Sequence, residues 1–403
     1  MRHPGPMTAE TSQLTVLAPG TDSGARTGTE QDLRIARLRA EMAARGIRAV
    51  AVASPENIYY LTGLDHLGYF AFTLLLVPAT GTPVVVTRDM ERATVRAQLP
   101  WCRHVTFHDG ADPAEVAAAA IAELVPQRHA LAIEDESMFF PPSIRGRLRL
   151  ALRRRRWLDA TAMLAELRAV KSPAEIAHTR AAARVSRTAM DAGIAAARPG
   201  TPERDVAAAV RHAMFAAGGE QPGFEPLIRP LSMLDQEHVS WGDRELREGD
   251  GLFVELSGCV RRYHAPMSRT LYFGSVPDEG REAHAAAAAG FEAALAALRP
   301  GARTGEVYAA WQRAVAAGSP GTWPPRHHCG YLVGIGFPPS WVGGGEVRGI
   351  RPGGTVEIVP GMTFHLMSWV TRPAGHAFSD TVLVTAAGAE LLTGTSRDLL
   401  VAV

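Results

Sequence analysis

Apolar positions along this chain recur in two rhythms, one with the spacing of helices and one with that of strands. LRIARLRAEMAARG places Leu33, Ile35, Ala36, Leu38 and Met42 at roughly helical intervals, with Gly46 as the stop. RAVAVAS then reads as a short buried strand, NIYYLTG as a lead into a turn, TLLLVPATGTPVVVT as a hairpin and MERATVRAQL as a helix. ALAIEDE, from Ala130 to Glu136, is a further strand, and IRGRLRLALRRRRW is a strongly basic helix. Strands alternating with helices predict a small α/β domain ending around residue 160.

The stretch AMLAELRAVKSP reads as a connector, in which Ser172 caps the next helix, Pro173 opens it and Glu175 reaches back. An alanine-rich helical region follows to Gly218, broken at RPGTPERD, where Thr201 starts a second helix. A β-rich region spans Phe224 to Phe273, another helical pair runs from Glu279 to Ala317 around RPGARTGE, and a second β-rich region spans Gly330 to Leu392. Helix, Arg-Pro-Gly break, helix and strands thus occur twice, an internal repeat.

Composition narrows the class. The 403 residues are 46% hydrophobic and 21% charged, as in soluble globular proteins. A formal charge of +1 gives no reason to expect nucleic acid, an anionic membrane or a polyanionic substrate. The run Arg153–Arg156 is accordingly read as a solvated helix face. Residues 1–30 lack an apolar segment and are read as a disordered leader or a mis-set start, neither signal peptide nor anchor. Cys102, Cys259 and Cys329 are odd in number and far apart, so no disulfide framework is implied and a reducing cytoplasm is expected. Lys171 is the only lysine, which excludes Schiff-base chemistry anywhere else.

Candidate chemistry concentrates between Gly249 and Gly274, GDGLFVELSGCVRRYHAPMSRTLYFG, which reads as two strands joined by a turn. Glu255 interrupts the apolar strand GLFVEL. A carboxylate there needs either a cationic partner, such as Arg261, Arg262 or Arg269, or a chemical task. His238, in QEHVSWGDREL, suits a proton shuttle at neutral pH, or is one exposed loop histidine among fourteen. The neighbours His327, His328 and Cys329 suggest a metal site only weakly, because adjacent residues rarely converge on one ion.

The segment ending Met-Ser-Arg-Thr resembles the central segment of the family of methionine aminopeptidase, prolidase, aminopeptidase P and creatinase, which has the pita-bread fold. The resemblance implies an α/β N-terminal domain over residues 31–165 and an α+β pita-bread catalytic domain over 166–403, with pseudo-two-fold internal symmetry. In metal-dependent members five positions ligate the ions; here they fall on Glu255, Pro266, Tyr331, Met367 and Ser379. Four of these are weak ligands or none, which points to the metal-free branch of creatinase and ectoine hydrolase. The match to that branch lies at ELSGCVRRYHAPMSRT, GYLVGIGFPPSW, PGMTFH and DTVLV.

Carried over, the resemblance makes Glu255 nucleophile or base, with His238 and His365 as proton-transfer groups or substrate contacts. Tyr331, Asp380 and Trp341 would stand nearby in the substrate pocket, Tyr263 and His264 either touch substrate or hold the hairpin, and Arg269 is structural. Family members of this kind form dimers in which one N-terminal domain edges the other chain's site, and Asp65, His66 and Tyr69 are the candidates for that contribution. The expected function is cofactor-free, metal-independent hydrolysis of a C–N bond in an ectoine-like cyclic amidine or creatine-like guanidino compound. Alternatives are a metal-dependent Xaa-Pro dipeptidase, a non-catalytic binding member or a lyase. The chain departs from ectoine hydrolase-like members at Pro338–Glu346, with Ser340 and Gly343–Gly345, and at Met367–Trp369, so the fold is more narrowly implied than the substrate.

Overall fold

The computed structural model describes residues 16–17, 28–318, 326–343, 347–371 and 374–402. The chain divides into two compact units between Leu167 and Arg168. Of the expected leader, Val16–Leu17 is a short strand (β1) and Thr29 caps the first helix, while residues 1–15 and 18–27 lie outside the described residues.

The N-terminal unit runs α1 (Glu30–Ala44), β2 (Ile47–Val52), α2 (Pro55–Thr62), β3 (Leu74–Pro78), β4 (Val84–Arg88), α3 (Arg92–Gln98), β5 (Arg103–Phe107), α4 (Pro113–Leu124), β6 (Ala130–Ile133), α5 (Pro142–Ala151) and β7 (Arg156–Asp159). Its seven-stranded sheet has the order β1-β5-β4-β3-β2-β6-β7. The segment NIYYLTG is helical (α2) rather than part of a turn, because the cap lies outside it. Pro55 opens the helix, Gly63 closes it with φ of 81°, and Glu134 accepts from the amides of Ala53 and Ser54 and from Asn57 Nδ2. The basic helix is also shorter than its pattern suggests. It stops at Ala151, Arg153–155 turn, and Arg156 enters β7, where Trp157 pairs with Leu131 of β6.

Helix α6 (Thr161–Ala169) forms most of the expected connector. Ser172 and Glu175 form a reciprocal capping box on α7 (Pro173–Ala196). Lys171, immediately before it, is buried and donates from Nζ to Ala169 O, and burial lowers its pKa to about 7. The C-terminal unit continues with α8 (Glu203–Ala216), β8 (Leu227–Pro230), β9 (Gly251–Val260), β10 (Tyr263–Phe273), α9 (Asp278–Ala297), α10 (Thr304–Gly318), β11 (Gly330–Leu332), β12 (Thr363–Val370), β13 (His376–Thr385), β14 (Gly388–Leu391) and β15 (Leu400–Ala402).

Its main sheet has the order β11-β12-β13-β10-β9-β8, so the two half-repeats meet at an antiparallel seam where Ser268 faces Ser379. This is the internal two-fold expected from the repeat. Side chains alternate across a sheet, and here the alternation separates core from site. Val254, Leu256, Met267 and Leu271 pack with residues of α7 and α8, and Phe364, Leu366, Phe378 and Val382 with residues of α9 and α10. Close approach of α7 requires Gly258, where a Cβ would stand 2.4 Å from Ala182 O. The opposite face mixes polar side chains with aromatic and other apolar ones. The three cysteines are free and buried, and among the described residues no helix is long and apolar enough to cross a membrane.

Candidate active site

Strand register sorts the helix-free face of the sheet into rows, since cross-strand partners share a face. One row is Arg229, Phe253, Thr270, Ala377 and Trp369; Thr270 and Ala377 are small, and the rings of Phe253 and Trp369 meet above them at 4.9 Å. The next row is Leu227, Glu255, Ser268, Ser379 and Met367. A third holds Ser257, Pro266, Thr381, His365 and Tyr331, with Thr381 Oγ1 donating to Pro266 O. The middle and third rows therefore gather all five positions that the sequence resemblance singled out.

Glu255 is buried but retains 10% side-chain exposure, and it has no ion-pair partner among the described arginines. Burial, partly offset by Arg229 and Arg326, pushes its pKa up to about 7. His365 Nε2 stands 3.9 Å from Glu255 Oε1, too far for a hydrogen bond. It is also no ion pair, because burial together with His328 and Arg326 holds the imidazole neutral, with a pKa of about 3.

His365 is instead the centre of a neutral chain. Trp341 Nε1 donates to Tyr331 OH at 2.9 Å, Tyr331 OH meets His365 Nδ1 at 2.8 Å, and His365 Nε2 meets Ser379 Oγ at 2.6 Å. Ser379 Oγ meets Ser268 Oγ at 2.8 Å. An indole nitrogen only donates, so a consistent polarity runs from Trp341 through Tyr331, His365 and Ser379 to Ser268, the register partner of Glu255. Burial raises the Tyr331 phenol well above its ordinary value, keeping it protonated within that chain.

Other candidates take different places. His264 shares the face but is fully engaged: Nδ1 bonds Arg262 O, and Nε2 accepts from Gly223 N at 2.9 Å. Burial keeps it neutral, with a pKa of about 4, so it fixes the segment that carries Phe224 rather than exchanging protons. Tyr263 points to the helical face, where its hydroxyl donates to Glu175 Oε1 at 2.8 Å and its ring stacks on His178. Asp380 is likewise on the far side of β13 from Ser379, fully buried and held by Arg269, Thr393 and Arg397. Alternation along the strand thus places Tyr263 and Asp380 on the face opposite Glu255 and gives both a structural role.

His238 makes no ion pair with Glu255. Its loop leaves it exposed, with its ring stacked on Phe224 at 6.0 Å, and Phe224 in turn meets Trp341 edge-on at 4.7 Å. Asp65, His66 and Tyr69 lie between α2 and β3 of the N-terminal unit, where His66 Nδ1 is 3.1 Å from Glu91 Oε2 and Tyr69 packs edge-on against Phe139. Of the departing loop, Gly344–Glu346 lie outside the described residues.

Sequence reading missed a basic group beside Glu255. Arg229 is wholly buried, 4.7 Å over the Phe253 ring, and Arg326 lies 4.2 Å over Trp369 while clamped by both oxygens of Glu237. An arginine within the apolar strand LIRP was the same kind of signal as Glu255 within GLFVEL.

A two-fold repeated sheet with helices on one face and Glu255 in a hydrogen-bonded row on the other is the architecture of the pita-bread class. The chain belongs to metallopeptidase family M24, whose model matches residues 177–386, and the creatinase/prolidase N-terminal domain matches residues 34–170. It is 29% identical to an ectoine hydrolase of Halomonas elongata over 91% of this chain and 96% of that protein. It is 32% identical to an uncharacterized hydrolase/peptidase, y4tM, of Sinorhizobium fredii, over 92% of this chain and 97% of that one. A prolidase from Thermococcus sibiricus shares the fold, with a TM-score of 0.83 and 20% identity over 93% of this chain and all of that one.

The metal that the family name implies does not fit these residues. Glutamate, proline, tyrosine, methionine and serine occupy the five positions, and only Glu255 among them is a strong hard-cation donor. Among the described residues no three histidine, cysteine or acidic side chains are placed to hold an ion, His327, His328 and Cys329 included.

Proposed function

We propose that the protein is a metal-independent hydrolase of a C–N bond in a small, polar, nitrogen-rich substrate, an ectoine-like cyclic amidine or a creatine-like guanidino compound. The observation that carries this reading is Glu255, partly accessible and tuned near neutrality in a row whose other members are weak metal ligands or none. The similarity to ectoine hydrolase supports the substrate class.

In the nucleophilic route a Glu255 oxygen adds to the amidine carbon, the C–N bond breaks, and the departing nitrogen takes a proton and leaves as an amine. Water then adds to the same carbon, and release of Glu255 leaves the amide. In the base route Glu255 takes a proton from the water that attacks the same carbon. His238 supplies the proton to the leaving nitrogen, which requires its loop to move inward from the Phe224 stack. Tyr331, His365 and Trp341 form the fixed wall and keep their neutral hydrogen-bond chain throughout.

Ectoine incubated with chelator-treated protein is expected to open to an N-acetyl diamino acid, followed by NMR. Ring opening only after Mn, Co or Zn is restored would overturn the metal-free reading, and Xaa-Pro dipeptide cleavage under those conditions would replace it with peptidase chemistry. We further propose a homodimer in which Asp65, His66 and Tyr69 of one chain edge the other's site. Exposed Leu67, Phe70, Met90 and Met138 give their unit an apolar surface suited to burial. Light scattering at micromolar concentration is expected to give twice the chain mass; a monomer would exclude a shared site.

A further inference from the structure

The first row of the sheet holds more hydrogen-bond donors than it satisfies. Arg229 Nε donates to Met233 O and Nη2 to Leu234 O, yet Nη1 is enclosed without a partner among the described residues. Trp369 Nε1 and Arg326 Nε are enclosed and unpartnered in the same way. The three belong together: the Arg229 guanidinium lies 5.8 Å from the Trp369 ring, and Arg326 lies 4.2 Å above it. Buried donors without acceptors are uncommon because each gives up its hydrogen bonds to water and regains none.

Carboxylates stand near this row without reaching its vacant donors, Glu255 acting on Arg229 only through space. Two guanidiniums serve this row, and Glu237 pairs with one of them, Arg326, through two bonds of 2.8 and 3.0 Å. Glu237 is itself 37% exposed, on the loop that also carries His238, so it is a carboxylate at the rim and able to withdraw. A planar, two-oxygen anion matches the fork that Arg326 already offers and the vacant donors behind it.

We propose that Arg229, Trp369 and Arg326 form a recognition subsite for the carboxylate of an acidic substrate, which exchanges with Glu237. The proposal rests on the reading of Glu255 as the reacting group, since it sets the recognised carboxylate one row along the sheet from it. It narrows the substrate class: an amidine or guanidine without an acid group is a poor ligand. Exchange also releases Glu237 and with it the adjacent His238, so acid binding and inward movement of His238 are one event.

The test uses the intact protein and two probes, N-acetylglycine and N-acetylglycinamide, which differ in the acid group alone, with affinities read by NMR titration. The acid is expected to bind at least tenfold more tightly than the amide. Arg229→Met is expected to abolish that preference, Trp369→Phe to weaken acid binding severalfold without affecting the amide, and Glu237→Gln to tighten acid binding severalfold. Equal affinities in the unmodified protein would overturn the subsite. So would an acid preference untouched by Trp369→Phe and Glu237→Gln, both of which keep Arg229 in place should its loss unfold the chain. Acid preference without ectoine turnover keeps the subsite and removes the proposed reaction; turnover without acid preference does the reverse.

Discussion

Glu255→Gln is expected to lower ectoine turnover by roughly four orders of magnitude while leaving the chain folded. Glutamine keeps the shape of the side chain and removes both its nucleophilicity and its capacity to accept a proton. Stability gives a second readout with a definite sign. The folded-state pKa of Glu255 is raised from 4.5 to about 7, so the native state holds this proton more tightly than the unfolded chain does. Stability therefore falls as pH rises from about 4.5 to about 7 and levels off above, at a cost of about 3 kcal/mol. The glutamine variant escapes that cost. It is expected to unfold at higher denaturant concentration than the parent at pH 8, and at nearly the same concentration at pH 4. In the parent, kcat/KM should rise along an acid limb centred near pH 7. Unchanged turnover would end the mechanism, and a variant less stable than the parent at pH 8 would contradict the burial penalty.

The largest expected loss of stability comes from the other face of the same sheet. Arg269 gives all its guanidinium hydrogens: Nε to Ser396 O, Nη1 to Ser268 O and Ser379 O, and Nη2 to Asp380 Oδ1 and Thr395 O. It thereby fastens the central seam between β10 and β13 to the C-terminal segment. Its side chain is 2% exposed and that of Asp380 is wholly enclosed. Arg269→Met leaves the buried Asp380 charge with only Thr393 and the more distant Arg397, and is expected to cost about 3–5 kcal/mol. Calorimetry should show a fall in Tm of roughly 10 °C for the C-terminal unit. Replacing both partners with apolar residues of similar volume should recover part of it. A loss below about 1 kcal/mol would mean that the pair merely fills space.

Much of this architecture was legible in the chain because its signals are local. Ser172, Pro173 and Glu175 announce a capping box within four positions, and GLFVEL displays its misplaced glutamate directly. The double occurrence of helix, break, helix and strands foretold the seam. What failed to show were matters of register and distance. Asp380 and Ser379 are neighbours in sequence and lie on opposite faces, so assigning both to a pocket ignored the alternation of a strand. The contact of Phe253 with Trp369 joins residues more than a hundred positions apart through the seam, and nothing near either announces it. Helix α2 was hidden because its N-terminus is satisfied by Glu134, far along the chain. The stacking of His238 on Phe224 likewise depends on the course of a loop, which no periodicity announces.

The solitary lysine has a practical consequence. Lys171 sits at the start of the C-terminal unit with its amine bonded to a backbone carbonyl and shut from solvent. A lysine-specific protease therefore has one peptide bond to attack, and only molecules whose connector has opened present it. The folded chain carries its own single-site clock for that opening, with two fragments on a gel as the reading.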